Sequence, residues 1–401
     1  MTAAVEPEPA RPLPLERPGI RPWFGARVLT GALVLQFSLG LVYVWGAMAP
    51  YVRAHDHWPP LLIASVWSAG PLGYSIGMVA AGRLADRLPP RRICWASLVL
   101  MAGGLGVAFV FPSGLTFPLF YSGLGLGLGG GVGMAGSVAA GIHACPRRVG
   151  AVGGAMTSAY ALAALIQVPV AGRLAPEIGW TDTLRLTGSA LVVLAALALL
   201  LMPPLPVPRS GHVEGTLESP LTMFRRPLVW TAFLAELATG VVGSAAFVNL
   251  VTYAQALGIA LVLATAALTG MAVGNAAGRL AGGAIADRFS VDRVALAVLL
   301  CNLTAAGLLW HLSGGTVLVA GLAAGLAFGG GAGILSRLGA RAAPEAPNSA
   351  FGLIFVGYST GAFAGPLVAA AIGLSPTGWL LIGLFPLAGL LVLGYRSRVT
   401  A

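Results

Sequence analysis

The chain has 401 residues, 57% of them hydrophobic and only 9% charged, with a formal net charge of +10. A soluble domain carries roughly a quarter charged residues, so this composition points away from one and toward a helical membrane protein. All 23 basic residues are arginines, and without lysine neither a phosphate-binding P-loop nor Schiff-base chemistry can be built, which excludes ATP-driven pumping by this chain alone.

The first 22 residues, rich in proline and charge, predict a disordered cytoplasmic tail rather than a cleavable signal peptide. Beyond them, apolar blocks near the ~20 residues that cross a bilayer as a helix predict twelve spans: 26–52, 61–85, 93–111, 115–142, 149–174, 184–203, 228–254, 260–286, 292–312, 316–338, 349–373 and 377–395. A polar linker over 204–227 divides the chain into six-helix halves, 23–203 and 228–401. The expected fold class is therefore all-α, with twelve transmembrane helices in two pseudo-symmetric halves.

Span 1 carries Gln36 and Tyr43, and the His55-Asp56-His57 run after it reads as a solvated loop, with no metal site. The loop after span 2, "GRLADRLPPRR", contains Gly82, Asp86, Arg87, Arg91 and Arg92. Span 4 holds Tyr121 and the stretch "GLGLGGGVG", which follows no strand and so is no nucleotide loop; span 5 holds Tyr160 and Gln167. Cys94, Cys145 and Cys301 fall in or beside apolar blocks and imply no disulfide framework.

Span 7 carries Glu236, Asn249 and Tyr253; span 8 carries Asn275 and Arg279; span 11 carries Tyr358. Glu236 and Arg279 are the ionisable acid and base well inside spans, where a charge costs about 2.5–3.5 kcal/mol on insertion scales. Arg279 lies eight residues before Asp287, about 12 Å inward, too deep for its side chain to reach water fully. The polar residues Gln36, Tyr43, Tyr121, Tyr160, Gln167, Asn249, Tyr253 and Tyr358 are candidates to share a substrate site with it, each with interhelical hydrogen bonding or an interface position as its alternative role.

The arginines set the orientation: 19 lie in tails, loops or helix edges on one face, Arg53, Arg173 and Arg185 lie on the other, and Arg279 lies within a span. The positive-inside rule puts both termini in the cytoplasm. Two repeats appear at a half-chain offset. "GRLADRLPPRR" matches "GAIADRFSVDR" (Gly283, Asp287, Arg288, Arg293), and "GLGLGGGVG" matches "GLAFGGGAG". At that offset Arg279 corresponds to Met78, so the scaffold does not require the cation.

Gly82, Asp86, Arg87, Arg91 and Arg92 resemble the loop 2–3 motif of the major facilitator superfamily, with Pro89 replacing its usual second glycine; Gly283, Asp287, Arg288 and Arg293 resemble the loop 8–9 copy. The resemblance implies a cytoplasmic latch made through Asp–Arg and helix-dipole contacts. "QFSLGLVYVWG", "NLVTYAQALG" and the Asn275–Arg279 pair further resemble the oxalate:formate antiporter and monocarboxylate transporter branch, in which the span-8 arginine is implied to bind the substrate carboxylate. Tyr358 and Tyr43 stand where members of that branch carry a second lysine, so a single central cation favours a monocarboxylate over a dianion.

The expected function is secondary transport of a small organic anion across the inner cell membrane, as proton symport or anion exchange, with Glu236 either coupling protons or pairing with Arg279. No cofactor, nucleic acid or enzymatic chemistry is expected, and the chain is expected to act as a monomer in the lipid bilayer. Export of a drug or secondary metabolite is the alternative within the class, and a non-transporting sensor the alternative outside it.

Overall fold

The computed structural model describes residues 22–207, 219–373 and 375–399. The expected tail, apart from Pro22, and residues 208–218 of the expected linker lie outside the described residues. Helix α1 (Pro22–Leu39) continues through a 3-10 turn (Gly40–Val44) into α2 (Trp45–His55). Then come α3 (Pro60–Ala85), α4 (Pro90–Val110), a π-helical stretch (Pro118–Leu128) leading into α5 (Gly129–Ala144), and α6 (Val149–Leu201). A short α7 (Pro220–Phe224) precedes α8 (Pro227–Ala256), α9 (Leu261–Ala286), α10 (Val291–Trp310), α11 (Val317–Ala342), α12 (Pro347–Ile372), α13 (Pro376–Ile382) and α14 (Leu384–Val399).

Proline in the first turn starts α3, α4, α8, α12 and α13, where its missing N–H costs nothing and its fixed φ suits the helix. Serine side chains cap two others: Ser219 Oγ accepts from Thr222 N at α7, and Ser290 Oγ from Arg293 N at α10. The sequence predicts a loop over 175–183 between two spans, but the helix runs through it and breaks at Gly179 alone (φ 80°, ψ 161°). That backbone conformation is open to glycine and closed to other residues, so one residue does the work of a loop.

Nine helices among the described residues are long and apolar enough to cross a membrane. Dividing α6 at Gly179 and adding the 26-residue α3 and α9 accommodates the twelve expected spans. The outer faces are apolar: Val193, Leu194, Leu197, Leu200 and Leu201 of α6 are all exposed. Such a surface suits lipid and would aggregate in water.

Within the bundle α9 packs on α11, α8 on α12, α3 on the π-helical stretch and α1 on α6, while the halves meet along α3–α12 and along α6 with α9 and α11.

Candidate functional site

Backbone contact at a glycine seam sets the position of Arg279. Gly321, Gly325, Gly329 and Gly333 of α11 face the carbonyls of Ala267, Met271, Asn275 and Arg279 of α9, each pair one helical turn below the last. A Cβ at any of the four glycines would overlap its facing carbonyl oxygen. This four-residue spacing of small residues is what allows helices to pack this closely. It holds the backbone of Asn275 and Arg279 against a rigid neighbour.

The Arg279 side chain is 7% exposed. Side chains on a helix lean toward its N-terminus, which for α9 means away from the Asp287 end. The contacts follow that lean: Arg279 Nε donates to Asn275 Oδ1 at 3.0 Å, one turn back. Nη1 donates to the Thr157 carbonyl of α6 at 3.4 Å and Nη2 to the Tyr358 hydroxyl of α12 at 3.3 Å, while Tyr358 in turn donates to the Phe328 carbonyl at 3.3 Å. A guanidinium has five N–H donors, so one on each Nη is left for a ligand. Among the described residues no carboxylate pairs with it.

The guanidinium faces a cavity of about 200 Å³, lined also by Tyr43, Asn275 and Tyr358. Its walls are aromatic. In the first half Tyr43 meets Tyr160 edge-on at 5.5 Å and Trp67 at 6.0 Å, and Tyr74 meets Tyr160 at 5.8 Å. In the second half Phe328 stacks on Tyr358 at 5.1 Å. The halves touch at the floor, where Tyr74 stacks on Phe355 at 4.9 Å and the Ser75 and Ser359 hydroxyls share a 2.6 Å hydrogen bond.

Of the other residues singled out from sequence, several lie away from this cavity. Gln36 Nε2 donates to Ser137 Oγ at 3.1 Å, Tyr121 to the Leu41 carbonyl at 3.2 Å, and Asn249 Nδ2 to the Ala245 carbonyl of its own helix at 2.9 Å. Tyr253 is buried against Trp379, with ring centroids 5.8 Å apart. None of the four lines the cavity: Gln36 and Tyr121 bond to neighbouring elements, Asn249 bonds within its own helix, and the buried Tyr253 hydroxyl has no hydrogen-bond partner among the described residues.

Glu236 is also separate from the cavity. It is buried on α8 against Gly331 of α11, and its Oε2 has no hydrogen-bond partner. Gly329 and Gly333 face α9 while Gly331 faces α8, so Glu236 and Arg279 lie against different faces of α11, and the ion pair, one of Glu236's two expected roles, is not formed among the described residues.

The sequence reading missed Tyr74, Trp67, Phe328 and Phe355 of the cavity wall. Tyr74 had a signal, since it lies 201 residues before Asn275, at the same offset that relates the two loop motifs.

At the Asp86 and Asp287 end the two motifs close the bundle. Asp86, 0% exposed, accepts from the backbone N and side chain of both Asn348 (3.2 and 2.9 Å) and Ser349 (3.0 and 2.7 Å) at the start of α12. Burial pushes its carboxyl above the ordinary carboxylate range, opposed by the hydrogen bonds of Ser349 and Asn348. Asp287 accepts from Gly150 N and Ala151 N, both at 2.8 Å, at the start of α6, and lies 3.6 Å from Arg337 Nε.

Each aspartate thus meets a helix N-terminus of the opposite half, where exposed N–H groups favour an anion. The motif glycines permit the approach, Gly82 against the Asn348 carbonyl and Gly283 against that of Gly150. Among the described residues Arg87, Arg91, Arg92, Arg288 and Arg293 do not pair with either aspartate; Arg91 Nη2 donates instead to the Leu199 carbonyl at 3.4 Å. Of the two kinds of latch contact that the motif implies, both aspartates make the helix-terminus one, and the arginine beside Asp287 is Arg337, outside the motif.

The family model of the Major Facilitator Superfamily matches residues 28–366. YhjX of Escherichia coli (strain K12), described as an uncharacterized MFS-type transporter, is 27% identical over 276 residues, which cover 66% of this chain and 67% of YhjX. Among solved structures, the Major Facilitator Superfamily transporter FucP in its outward conformation has a TM-score of 0.73 at 18% identity, over 92% of this chain and 98% of its own. A variant of the E. coli fucose:proton symporter FucP has the same TM-score and identity, over 94% and 99%. At this identity the structural likeness speaks for the fold.

Proposed function

We propose that this chain, which belongs to the major facilitator superfamily, is a secondary transporter that moves a small organic anion, a monocarboxylate, by alternating access around Arg279. The observation that carries this reading is a buried, cavity-facing guanidinium with two free N–H donors and no acidic partner among the described residues. A buried charge without a counter-ion is costly, and a carboxylate accepting two parallel hydrogen bonds supplies both the charge and the geometry. One cation at the site favours one carboxylate over two.

The same contacts link binding to movement. The Nη1 bond to Thr157 ties Arg279 in the second half to α6 in the first. A carboxylate that takes the guanidinium competes with this long bond and frees one tie between the halves. A ligand shifts a conformational equilibrium only by binding one state better than the other, and this exchange provides such a difference. The cavity lies beyond the floor contacts, about 16 Å by helix rise from the closed latch end, which the arginine bias assigns to the cytoplasm together with both termini. Glu236 is the candidate proton carrier, buried apart from the anion site.

The apolar walls also suit a drug or secondary-metabolite exporter, and one experiment separates the two readings. In proteoliposomes preloaded or energised with a pH gradient, a panel of radiolabelled monocarboxylates should be transported by the wild type and not by Arg279→Ala. Undiminished flux in Arg279→Ala would overturn the anion reading in favour of the exporter.

A further inference from the structure

Eight of the 22 residues around the cavity are aromatic and Arg279 alone is charged, whereas aromatic residues make up 8% of the chain. This enrichment exceeds what carboxylate binding requires. Formate, acetate or lactate would engage the guanidinium and leave most of the ~200 Å³ to water against apolar walls. An engineered apolar cavity of about 150 Å³ takes up benzene, so this one has room for a six-membered ring with a carboxylate attached.

The geometry orients such a molecule. Arg279, held by Asn275, Thr157 and Tyr358, lines the same cavity as the Tyr74–Phe355 stack, and Tyr43, Tyr160 and Trp67 continue the wall. Their ring centroids stand 4.9 to 6.0 Å apart, within the 4.5–7 Å range in which aromatic rings attract edge-to-face or offset. The rings thus pack on one another as a continuous wall, and a ligand ring lying in the cavity against that wall would meet edges and faces of the same kind. A quaternary ammonium, the other usual guest of an aromatic cage, is opposed by the unpaired Arg279.

Building on the carboxylate reading, we propose that the site takes an aryl or arylalkyl monocarboxylate, its carboxylate on Arg279 and its ring in the cavity against the aromatic wall of Tyr43, Tyr74, Tyr160 and Phe355. Benzoate and phenylacetate are the simplest probes. Calorimetry on the purified full chain in nanodiscs would compare them with acetate, lactate, cyclohexanecarboxylate and benzamide.

The better of the two aryl acids should bind at least about tenfold more tightly than acetate or lactate, a factor equal to 1.4 kcal/mol, and more tightly than cyclohexanecarboxylate. Tyr160→Leu, which keeps the apolar bulk and removes the ring, should narrow the gap between the aryl acids and cyclohexanecarboxylate. The wild-type ligand series decides by itself if that variant does not fold. Acetate or lactate binding as tightly as the aryl acids would overturn the aryl inference and leave the carboxylate reading in place. Benzamide binding as tightly as benzoate would remove the carboxylate reading and this inference with it. No binding by either aryl acid would also overturn it.

Discussion

Helices α3 and α9 are both 26 residues long, both end on an alanine followed by an aspartate, and both touch the opposite half through a glycine four residues before that aspartate. Further into the bundle they differ: α3 carries Tyr74 and Met78 where α9 carries Asn275 and Arg279. Met78 is wholly buried with its carbonyl against Gly352, while Arg279 faces the cavity. The parts that close the bundle are kept in both copies and the part that holds a charge is in one. Closing the bundle and carrying a cavity-facing charge are therefore separable properties of the same helix.

The comparison can be broken outright by giving α9 the equipment of α3. Arg279→Met should lower transport at least ~30-fold, as expected for losing one partner of a buried charge pair. Adding Met78→Arg should restore nothing, because that side chain packs into the interior and not the cavity; recovered flux in the double variant would show that the halves are interchangeable.

Gly329→Ala comes next in expected size. Its new Cβ would overlap the Asn275 carbonyl and force α9 off α11, and overpacking of this kind costs about 1–3 kcal/mol. Thermal unfolding and uptake should both suffer, whereas Gly103→Ala, with nothing within 4 Å of the new Cβ, should be silent in both. Glu236→Gln should retain anion binding and lose the dependence of uptake on a pH gradient; pH-dependent uptake left intact in that variant would remove Glu236 from the coupling scheme.

The two latches differ more finely. Asp86 is met by four uncharged donors, Asp287 by two backbone N–H groups and the half-exposed Arg337. Asp86→Ala should therefore open the bundle more than Asp287→Ala, by roughly the 1–3 kcal/mol of stranding buried donors. The rate at which an impermeant maleimide modifies Cys145, at the end of α5 beside the latch, would report it.

Salt should weaken the Asp287 side more, since exposed ion pairs are screened and contribute at most about 1 kcal/mol. The smallest effect expected is of pH. Burial raises the Asp86 carboxyl in the closed state, so the closed state holds the proton more tightly than the open one. The latch is firmest below the ordinary carboxylate value and loosens as pH rises through the raised one. Cys145 reactivity, divided by that of a free thiol at the same pH because the thiolate is the reacting form, should rise over that window in the wild type and not in Asp86→Ala.

The spans were readable because bilayer thickness fixes their length, and the depth of Arg279 because it is counted from Asp287 along one helix. Both depend on residues near in sequence. Whether Glu236 reaches Arg279 depends on which faces of α11 the neighbouring helices occupy, and spacing within α8 or α9 carries no information about that. Gln36, Tyr121, Asn249 and Tyr253 read as site candidates for the same reason: a polar residue within a span is visible in sequence, and the turns and helices that surround it are not. The one-residue break at Gly179 was hidden among 57 glycines, since its φ and not its identity marks it.

The central claim is that Arg279 receives the carboxylate, and a double cycle on charge tests it most directly. Affinities of benzoate and benzamide are measured for the wild type and for Arg279→Gln, so that protein charge and ligand charge are removed separately and together. The account predicts that the wild type prefers benzoate by at least about 30-fold and that Arg279→Gln abolishes the preference while still binding benzamide as the wild type does. A preference for benzoate that survives in Arg279→Gln would contradict it.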